Sequence, residues 1–213
     1  MASVVTSKGR DIISGRMKGG TPTQVEPNIL GWGVPSAQFT AAVSDVAQFA
    51  ETAETRVTGT SSFVTTTTAN DTYQVVGTLT ATGSRAVTEC ALYDSSTKPT
   101  GNTVAAAGVV GSSSATTLNT GTTFTPGNGN YVQIRTEVLQ VTAGSGTTAL
   151  TVVRGANGST AIATIAVSDI VTPGNIPGST ATTGGSMLSH YDFAVINLAT
   201  NDTLQSTAQV KFS

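Results

Sequence analysis

The chain has 213 residues and a formal net charge of -2, and charged residues make up only 10% of it. This charge gives no general attraction to nucleic acid or to an anionic membrane, and no apolar run approaches the ~20 residues of a membrane-spanning helix. The single cysteine excludes an intramolecular disulfide, and with a single histidine a protein-only zinc site would have an uncommon ligand set. We therefore expect no nucleic-acid partner, no membrane partner, no metal and no other cofactor.

Composition also predicts the fold class. Aromatic residues are 5% of the chain, while threonine, serine, glycine and alanine dominate. That mixture favours many short strands joined by tight turns over long surface helices. We predict an all-β protein, namely an antiparallel β-sandwich with a second small β-module inserted and a short N-terminal helix or arm.

The N-terminal segment is predicted to form a short helix over residues 7–18, capped by Thr6 or Ser7. Its apolar anchors are Ile12, Ile13 and Met17. The same segment carries a basic patch made of Lys8, Arg10, Arg16 and Lys18. Such a patch is either a solvated helix face or a contact with an acidic partner.

Residues 25–33 are predicted to form an edge strand, because Pro27 cannot donate within a central ladder. Trp32 is interpreted as a core or interface plug. Residues 34–55 are either a helix or an extended arm, with an apolar stripe that packs in the core or against a bound partner. The stripe consists of Phe39, Val43, Val46 and Phe49.

Three consecutive strands are predicted between residues 56 and 94, and the rest of the chain is organised around them. Residues 57–67 are rich in β-branched side chains, and residues 72–82 alternate between apolar and polar. The turn residues 69–71 between them indicate a hairpin. Residues 86–93 form the third strand.

The composition of the sequence changes after residue 111. Serine and threonine repeats are followed by a segment whose pattern predicts a compact all-β unit of short hairpins. We predict strands over residues 131–141 and 149–154, joined by a turn at residues 143–146.

Glycine and proline residues between 173 and 185 mark a linker, after which two final strands cover residues 188–198 and 203–212. A self-contained unit inserted into a surface loop produces this order. The predicted domains are residues 1–55 as N-terminal arm and edge elements, 56–112 with 178–213 as a discontinuous β-sandwich, and 113–177 as the inserted module. A single larger sandwich is the alternative.

Catalytic motifs are absent from the sequence. It has no Gly-x-Ser-x-Gly elbow, no Gly-x-x-x-x-Gly-Lys phosphate loop and no histidine pair at helical spacing. His190 beside Asp192 has the residue types of a base with its orienting carboxylate, but no nucleophile accompanies them. We therefore expect no enzymatic activity.

The central strands resemble a known family. Residues 70–78 (NDTYQVVGT) and 86–94 (AVTECALYD) resemble the strand motif of small virion structural proteins of tailed bacteriophages, usually written Thr-Glu-Val-Gly-Leu-Phe-Asp. The sequence departs from this motif at Cys90, Ala91 and Tyr93, which replace Val, Gly and Phe.

Other stretches extend the resemblance. Residues 6–12 (TSKGRDI) and 29–33 (ILGWG) are similar to the same group. Residues 132–141 (VQIRTEVLQV) with 152–161 (VVRGANGSTA) resemble a β-module that is common in phage tail and fibre proteins.

The resemblance implies a non-enzymatic structural protein of a bacteriophage particle, assembled in the host cytoplasm and located in the virion. We expect a head decoration, or cement, protein that binds the major capsid protein lattice or other virion proteins. We also expect it to form a homo-oligomer, for which a trimer is one arrangement. A tail component such as a fibre, baseplate or tail accessory protein is the alternative, and a carbohydrate-binding module is a third.

Attachment to the particle is assigned to the N-terminal segment. Residues 1–55 hold nearly half of the charges and no clean strand pattern, so we expect them to gain order against a neighbouring subunit. The predicted partner-binding residues are Lys8, Arg10, Arg16, Lys18, Trp32 and Phe39. Deleting residues 1–20 is then expected to leave a folded β-protein.

Overall fold

The computed structural model describes residues 2–18, 25–105, 114–175 and 184–212. Strands dominate these residues, and an α-helix lies near the N-terminus. The strands pair with antiparallel neighbours. The predicted all-β class with a short N-terminal helix is confirmed.

The elements of the first half of the chain are β1 (Ala2–Val5), α1 (Ser7–Met17), β2 (Ile29–Gly33), β3 (Val57–Thr58), β4 (Thr60–Val64), β5 (Thr72–Thr80), β6 (Arg85–Tyr93) and β7 (Asn102–Thr103). The later elements are β8 (Thr117–Phe124), β9 (Tyr131–Ile134), β10 (Glu137–Ala143), β11 (Thr147–Val153), a 3-10 helix (Ala156–Gly158), β12 (Ile170–Gly174), β13 (Met187–Leu198) and β14 (Thr203–Lys211).

Two sheets form a β-sandwich. The first has the strand order β1-β13-β6-β2-β3, and the second has the order β14-β5-β4. Leu30, Trp32 and Leu92 of the first sheet lie in one hydrophobic core with Val75 and Leu79 of the second. Burial of this shared apolar surface is the main term that holds the two sheets together.

The predicted hairpin and its alternation are confirmed. In β5, Val75 and Leu79 are buried, whereas Thr78 and Thr80 face solvent. β4 pairs antiparallel with β5 across a turn that Asp71 closes by accepting three backbone hydrogen bonds. These bonds, led by the one from Thr68, hold the pKa of Asp71 well below its usual range.

The strand predicted over residues 57–67 is divided at Gly59. β3 pairs with β2 in the first sheet, while β4 pairs with β5 in the second. A Cβ atom at Gly59 would clash with the side chain of Val75. The chain therefore crosses between the sheets at a position where a glycine is required.

The strand predicted over residues 25–33 is shorter, and it is internal. β2 lies between β6 and β3, so its prediction as an edge strand is wrong. Pro27 precedes the first strand residue, Ile29, and its missing N–H therefore leaves the ladder intact.

No helix forms over residues 34–55. Val46 and Phe49 are buried, Phe39 is partly buried with its ring centroid 5.2 Å from that of Phe49, and Val43 is 37% exposed. Of the two roles considered for this stripe, packing in the core is the one that the structure supports.

The N-terminal segment belongs to the folded core. β1 forms the edge of the first sheet beside β13, and Ile12 of α1 lies in the sandwich core. Thr6 caps α1 by accepting a hydrogen bond from the N–H of Gly9 at 2.9 Å. Residues 1–55 were expected to gain order against a neighbouring subunit, whereas β1 and α1 are ordered here by packing within the chain itself.

A third sheet has its own hydrophobic core. Its strand order is β7-β12-β9-β10-β11-β8, and a bridge between Val104 and Thr120 brings its two edges together, so that the sheet nearly closes on itself. The best-buried side chains of this core include Leu118, Val132, Ile134, Leu139 and Leu150. The predicted boundaries of an inserted module remain a prediction.

Two predictions in this region are corrected. The strand predicted over residues 131–141 is a hairpin, because β9 and β10 are separated by a turn in which Arg135 adopts a φ of 50°. Pro173 and Gly174, which were predicted as part of the linker, lie in β12 opposite Val132 and Tyr131. Residues 176–183 of that linker lie outside the described residues.

Candidate functional site

His190 was the candidate base in the sequence, and it lies inside the protein with no solvent exposure. Its Nδ1 atom is 2.7 Å from Oδ2 of Asp45, and its Nε2 atom is 2.8 Å from Oε2 of Glu89. Asp192, which the sequence suggested as the orienting carboxylate, is therefore not the partner of either ring nitrogen.

The charge state of this cluster follows from its hydrogen bonds. Burial alone would lower the pKa of His190, but the hydrogen bonds to Asp45 and Glu89 outweigh burial and raise that pKa to about 9. At neutral pH the imidazole is therefore protonated, and both ring nitrogens donate. A protonated histidine with both nitrogens engaged has no free lone pair with which to act as a base.

The two carboxylates of the cluster also bind backbone. Glu89 accepts from the N–H groups of Phe49 and Ala50, and Asp45 accepts from the N–H of Ala42. Asp45 also accepts from Nε2 of Gln133, which lies on β9 of the third sheet. This buried cluster anchors the loop over residues 42–50 between the sandwich and the third sheet.

Two further buried ion pairs connect residues within the fold. Arg56 donates to both carboxylate oxygens of Glu51 and stacks 3.4 Å above the ring of Tyr93. Arg154 binds Glu137 inside the third sheet in the same bidentate manner. These arginines hold turns and strands together and are not presented to solvent.

An open apolar groove lies between α1 and the edge of the second sheet. Its volume is about 340 Å³. We call it the α1 groove, and its lining residues are Ile12, Ile13, Arg16, Met17, Glu26, Pro27, Phe63, Tyr73, Leu188 and Phe212. Three of its large apolar side chains face solvent: Met17 is 81% exposed, Phe63 71% and Phe212 51%. Apolar surface gathered in this way is typical of an interaction site.

Cations flank the α1 groove. Arg16 lines it, and exposed Lys18 follows Met17 at the end of α1. Arg10 is also exposed and lies one helical turn before Ile13, which places it on the same side of the helix. The groove therefore combines apolar surface with positive charge.

The groove also contains one carboxylate, that of Glu26. Its Oε1 atom accepts a hydrogen bond from the hydroxyl of Tyr73 at 3.1 Å. Burial, together with the nearby Glu26, raises the pKa of Tyr73 above its usual value, so the phenol remains protonated and donates.

The six predicted partner-binding residues differ in their solvent exposure. Arg10, Arg16 and Lys18 are exposed beside the groove, and Phe39 is half-buried against Phe49. Lys8 and Trp32, in contrast, cannot serve as surface contacts.

Lys8 is 2% exposed, with its Nζ atom 3.2 Å from Oδ2 of Asp11. Trp32 is 1% exposed, and its indole N–H donates to Ser206 at 2.7 Å. Both side chains are enclosed by the chain itself, so their assignment as partner contacts is corrected.

Sequence reasoning missed the apolar part of the groove. Met17 was interpreted as an anchor of the helix, and Phe63 as one residue of a β-branched strand. Phe212 follows the last residue of β14 and continues the apolar face of that strand past its end. Because these residues are far apart in sequence, only their placement around α1 brings them together.

No family model, curated protein or solved structure matches this chain. Within the described residues there is no group of three or more histidine, cysteine, aspartate or glutamate side chains that could hold a metal ion. A helix that is long and apolar enough to cross a membrane is also missing from this part of the chain. The α1 groove is an exposed feature from which a function can be argued.

Proposed function

We propose that the protein is a non-enzymatic structural protein of a bacteriophage particle, a head decoration protein that binds the major capsid protein lattice. The observation that carries the proposal is the α1 groove, an exposed apolar surface flanked by Arg10, Arg16 and Lys18. The sequence resemblance of residues 70–78 and 86–94 to virion structural proteins supports it, and these residues include most of β5 and all but the first residue of β6.

The groove has the chemistry of an attachment surface. Exposed Met17, Phe63 and Phe212 supply apolar area that a partner side chain can bury, and burial gains roughly 25 cal/mol per Å². The flanking cations favour a partner segment that carries carboxylates beside its apolar residue. An acidic and apolar segment of the capsid protein is the partner that fits.

The rest of the molecule suits a particle component. Charged residues are scarce, and exposed threonines and serines allow neighbouring subunits to pack without desolvating charges. The buried cluster of Asp45, Glu89 and His190 ties the loop over residues 42–50 to two sheets and rigidifies the framework.

A tail component remains the second candidate. It is favoured by the resemblance of residues 132–141 and 152–161 to a module of tail and fibre proteins, and these residues lie in the third sheet. The copy number in the particle distinguishes the two locations. A decoration protein is present in hundreds of copies, whereas a tail component is present in small multiples of three or six.

Quantitative mass spectrometry of purified phage particles tests the assignment. We expect this chain in purified particles, with a copy number close to that of the capsid lattice sites. A low copy number would move the protein to the tail. Absence of the chain from particles would contradict both locations.

A binding experiment tests the attachment surface. Purified protein is added to particles that lack it, and bound protein is measured after sedimentation. We expect Phe63→Ser to weaken binding at least tenfold, since aromatic anchors at interfaces are worth about 2 kcal/mol or more. The matched control is Val153→Ser, because Val153 is 50% exposed on the third sheet, away from the groove. Equal binding of the two variants would remove the groove from the proposal.

A further inference from the structure

A second exposed apolar surface lies on another side of the sandwich. β1 covers β13 only from Ser189 to Asp192, so the rest of β13 has no neighbour on that side among the described strands. β14 is likewise the outer strand of its sheet. Both free strand edges border one groove of about 400 Å³. We call the outer flanks of residues 193–198 and 203–208, with this groove, the open edge.

The open edge lacks the features that usually prevent strand pairing. Natural edge strands carry lysines, prolines or covering loops, because a free edge presents unpaired N–H and C=O groups. Residues 193–198 and 203–208 contain no charged residue and no proline. Val195 is 52% exposed and Ile196 38% exposed on the first of these segments. The surface has the properties of a strand edge that another strand covers.

The absence of charge on residues 193–198 and 203–208 favours a second copy of this chain as the source of the covering strand. A two-fold contact places equivalent surfaces of two copies against each other, and it therefore repels wherever that surface carries charges of a single sign. The open edge is uncharged and avoids this repulsion, whereas the α1 groove with its flanking cations would repel its own copy. An acidic or basic partner segment would gain no ion pair at the open edge.

The ends of β14 favour the antiparallel arrangement. Asp202 precedes the strand and Lys211 ends it, and neither forms an ion pair with a described residue. Antiparallel pairing of two copies of β14 brings Asp202 of one copy to the same end as Lys211 of the other. Residues 203–208 of each strand also supply the backbone groups that the same residues of the other lack, whereas the carbonyl of Gln209 already accepts from the Tyr191 hydroxyl.

We propose that the chain forms a two-fold dimer in which β14 of one copy pairs antiparallel with β14 of a second copy, joining the two β14-β5-β4 sheets into one. The exposed side chain of Ile196, which lines the groove beside β14, is buried at this contact. The dimer stands independently of the proposed function, since it rests on a different surface and requires no phage particle.

The test is the molar mass of the purified full-length protein, measured by light scattering across a concentration series. We expect twice the 21.4 kDa of one chain at micromolar concentration. Ile196→Lys places a charge in the groove beside β14, at the two-fold contact, and should raise the dimer dissociation constant at least about tenfold. Because Ile196 is already 38% exposed, the lysine is compatible with a folded monomer, which circular dichroism verifies.

The matched control is Val153→Lys, since Val153 is 50% exposed but lies on the third sheet. It should leave the dimer intact. A wild-type chain that is monomeric or trimeric would overturn the proposal. So would an Ile196→Lys variant that dimerises as tightly as the Val153→Lys control.

Discussion

The Nδ1 atom of His190 lies 2.7 Å from Oδ2 of Asp45, a residue 145 positions earlier in the chain. This contact, with that of Glu89 on the other ring nitrogen, places a protonated imidazole in a site with no solvent exposure. The loop that carries Asp45 also receives Gln133 of the third sheet, so the cluster lies where the two parts of the fold meet. Its ionisation is therefore coupled to the stability of the whole protein.

The first prediction concerns the dependence of stability on pH. The pKa of His190 is about 9 in the folded protein and 6.5 as the ordinary value. Because the folded pKa is the higher one, the stabilisation is fully present below pH 6.5 and is lost as the pH rises to 9. The shift corresponds to an expected loss of about 3 kcal/mol in the free energy of unfolding between pH 6 and pH 9.5. Urea denaturation at these two pH values checks it.

NMR gives a direct check of the same prediction. The chain has a single histidine, so the imidazole ¹⁵N signals report one site. They should show the charged form up to at least pH 8. A titration midpoint near 6.5 would contradict the buried cluster.

The second prediction concerns Glu89. In Glu89→Gln the amide cannot accept from both the imidazole and the two backbone N–H groups that now bind the carboxylate. Removing one partner of a buried ionic network costs about 3–5 kcal/mol, so we expect a large drop in the urea midpoint. The control is Gln38→Ala, at an exposed loop position, which should change stability by less than about 1 kcal/mol.

The third prediction concerns the N-terminal helix. Ile12→Ala removes a side chain that is 1% exposed in the sandwich core and should destabilise the protein by about 2–5 kcal/mol. Met17→Ala on the same helix should cost less than about 0.5 kcal/mol, because Met17 is 81% exposed. Thermal unfolding of the two variants makes the comparison.

Deleting residues 1–20 extends this prediction. The deletion removes β1 from the first sheet and Ile12 from the core, so we now expect loss of cooperative unfolding. A truncated protein that unfolds like the full chain would show that the segment is only an appendage.

The fourth prediction concerns Cys90. Its thiol is 4% exposed, and burial raises its pKa to about 12. Since the thiolate is the reactive form, Ellman's reagent at pH 8 should not label the folded protein. One thiol per chain should react in denaturant. Rapid labelling of the native protein would mean that the sandwich opens at this site.

Local patterns in the sequence determined much of the framework. The scarcity of charged and aromatic residues indicated an all-β protein, and the alternation over residues 72–82 located β5 and its buried face. Thr6 was one of two predicted helix caps, with Ser7, and the structure shows that its hydroxyl accepts from the N–H of Gly9, three residues away. These features depend on neighbours in the chain, which is why the sequence alone shows them.

Other local features had no sequence signal. The turn at Arg135 lacks the glycine, asparagine or proline that would have marked it, so a hairpin was predicted as one strand. Gly59 lies in a β-branched segment that was predicted as one strand. The structure shows that the chain passes from the first sheet to the second at this glycine, where a Cβ atom would clash with Val75.

The functional surfaces were decided by tertiary structure. Lys8 was grouped with Arg10 by sequence, yet α1 packs on β13 and turns Lys8 inward while Arg10 stays exposed. Phe63 and Phe212 form one groove with Met17 because the second sheet packs beside α1. The sequence by itself determined the all-β class and the position and buried face of β5, since those follow from composition and side-chain periodicity. Which charges are buried together and which apolar side chains remain exposed depended on how the sheets pack, because desolvation is set by neighbours distant in the chain.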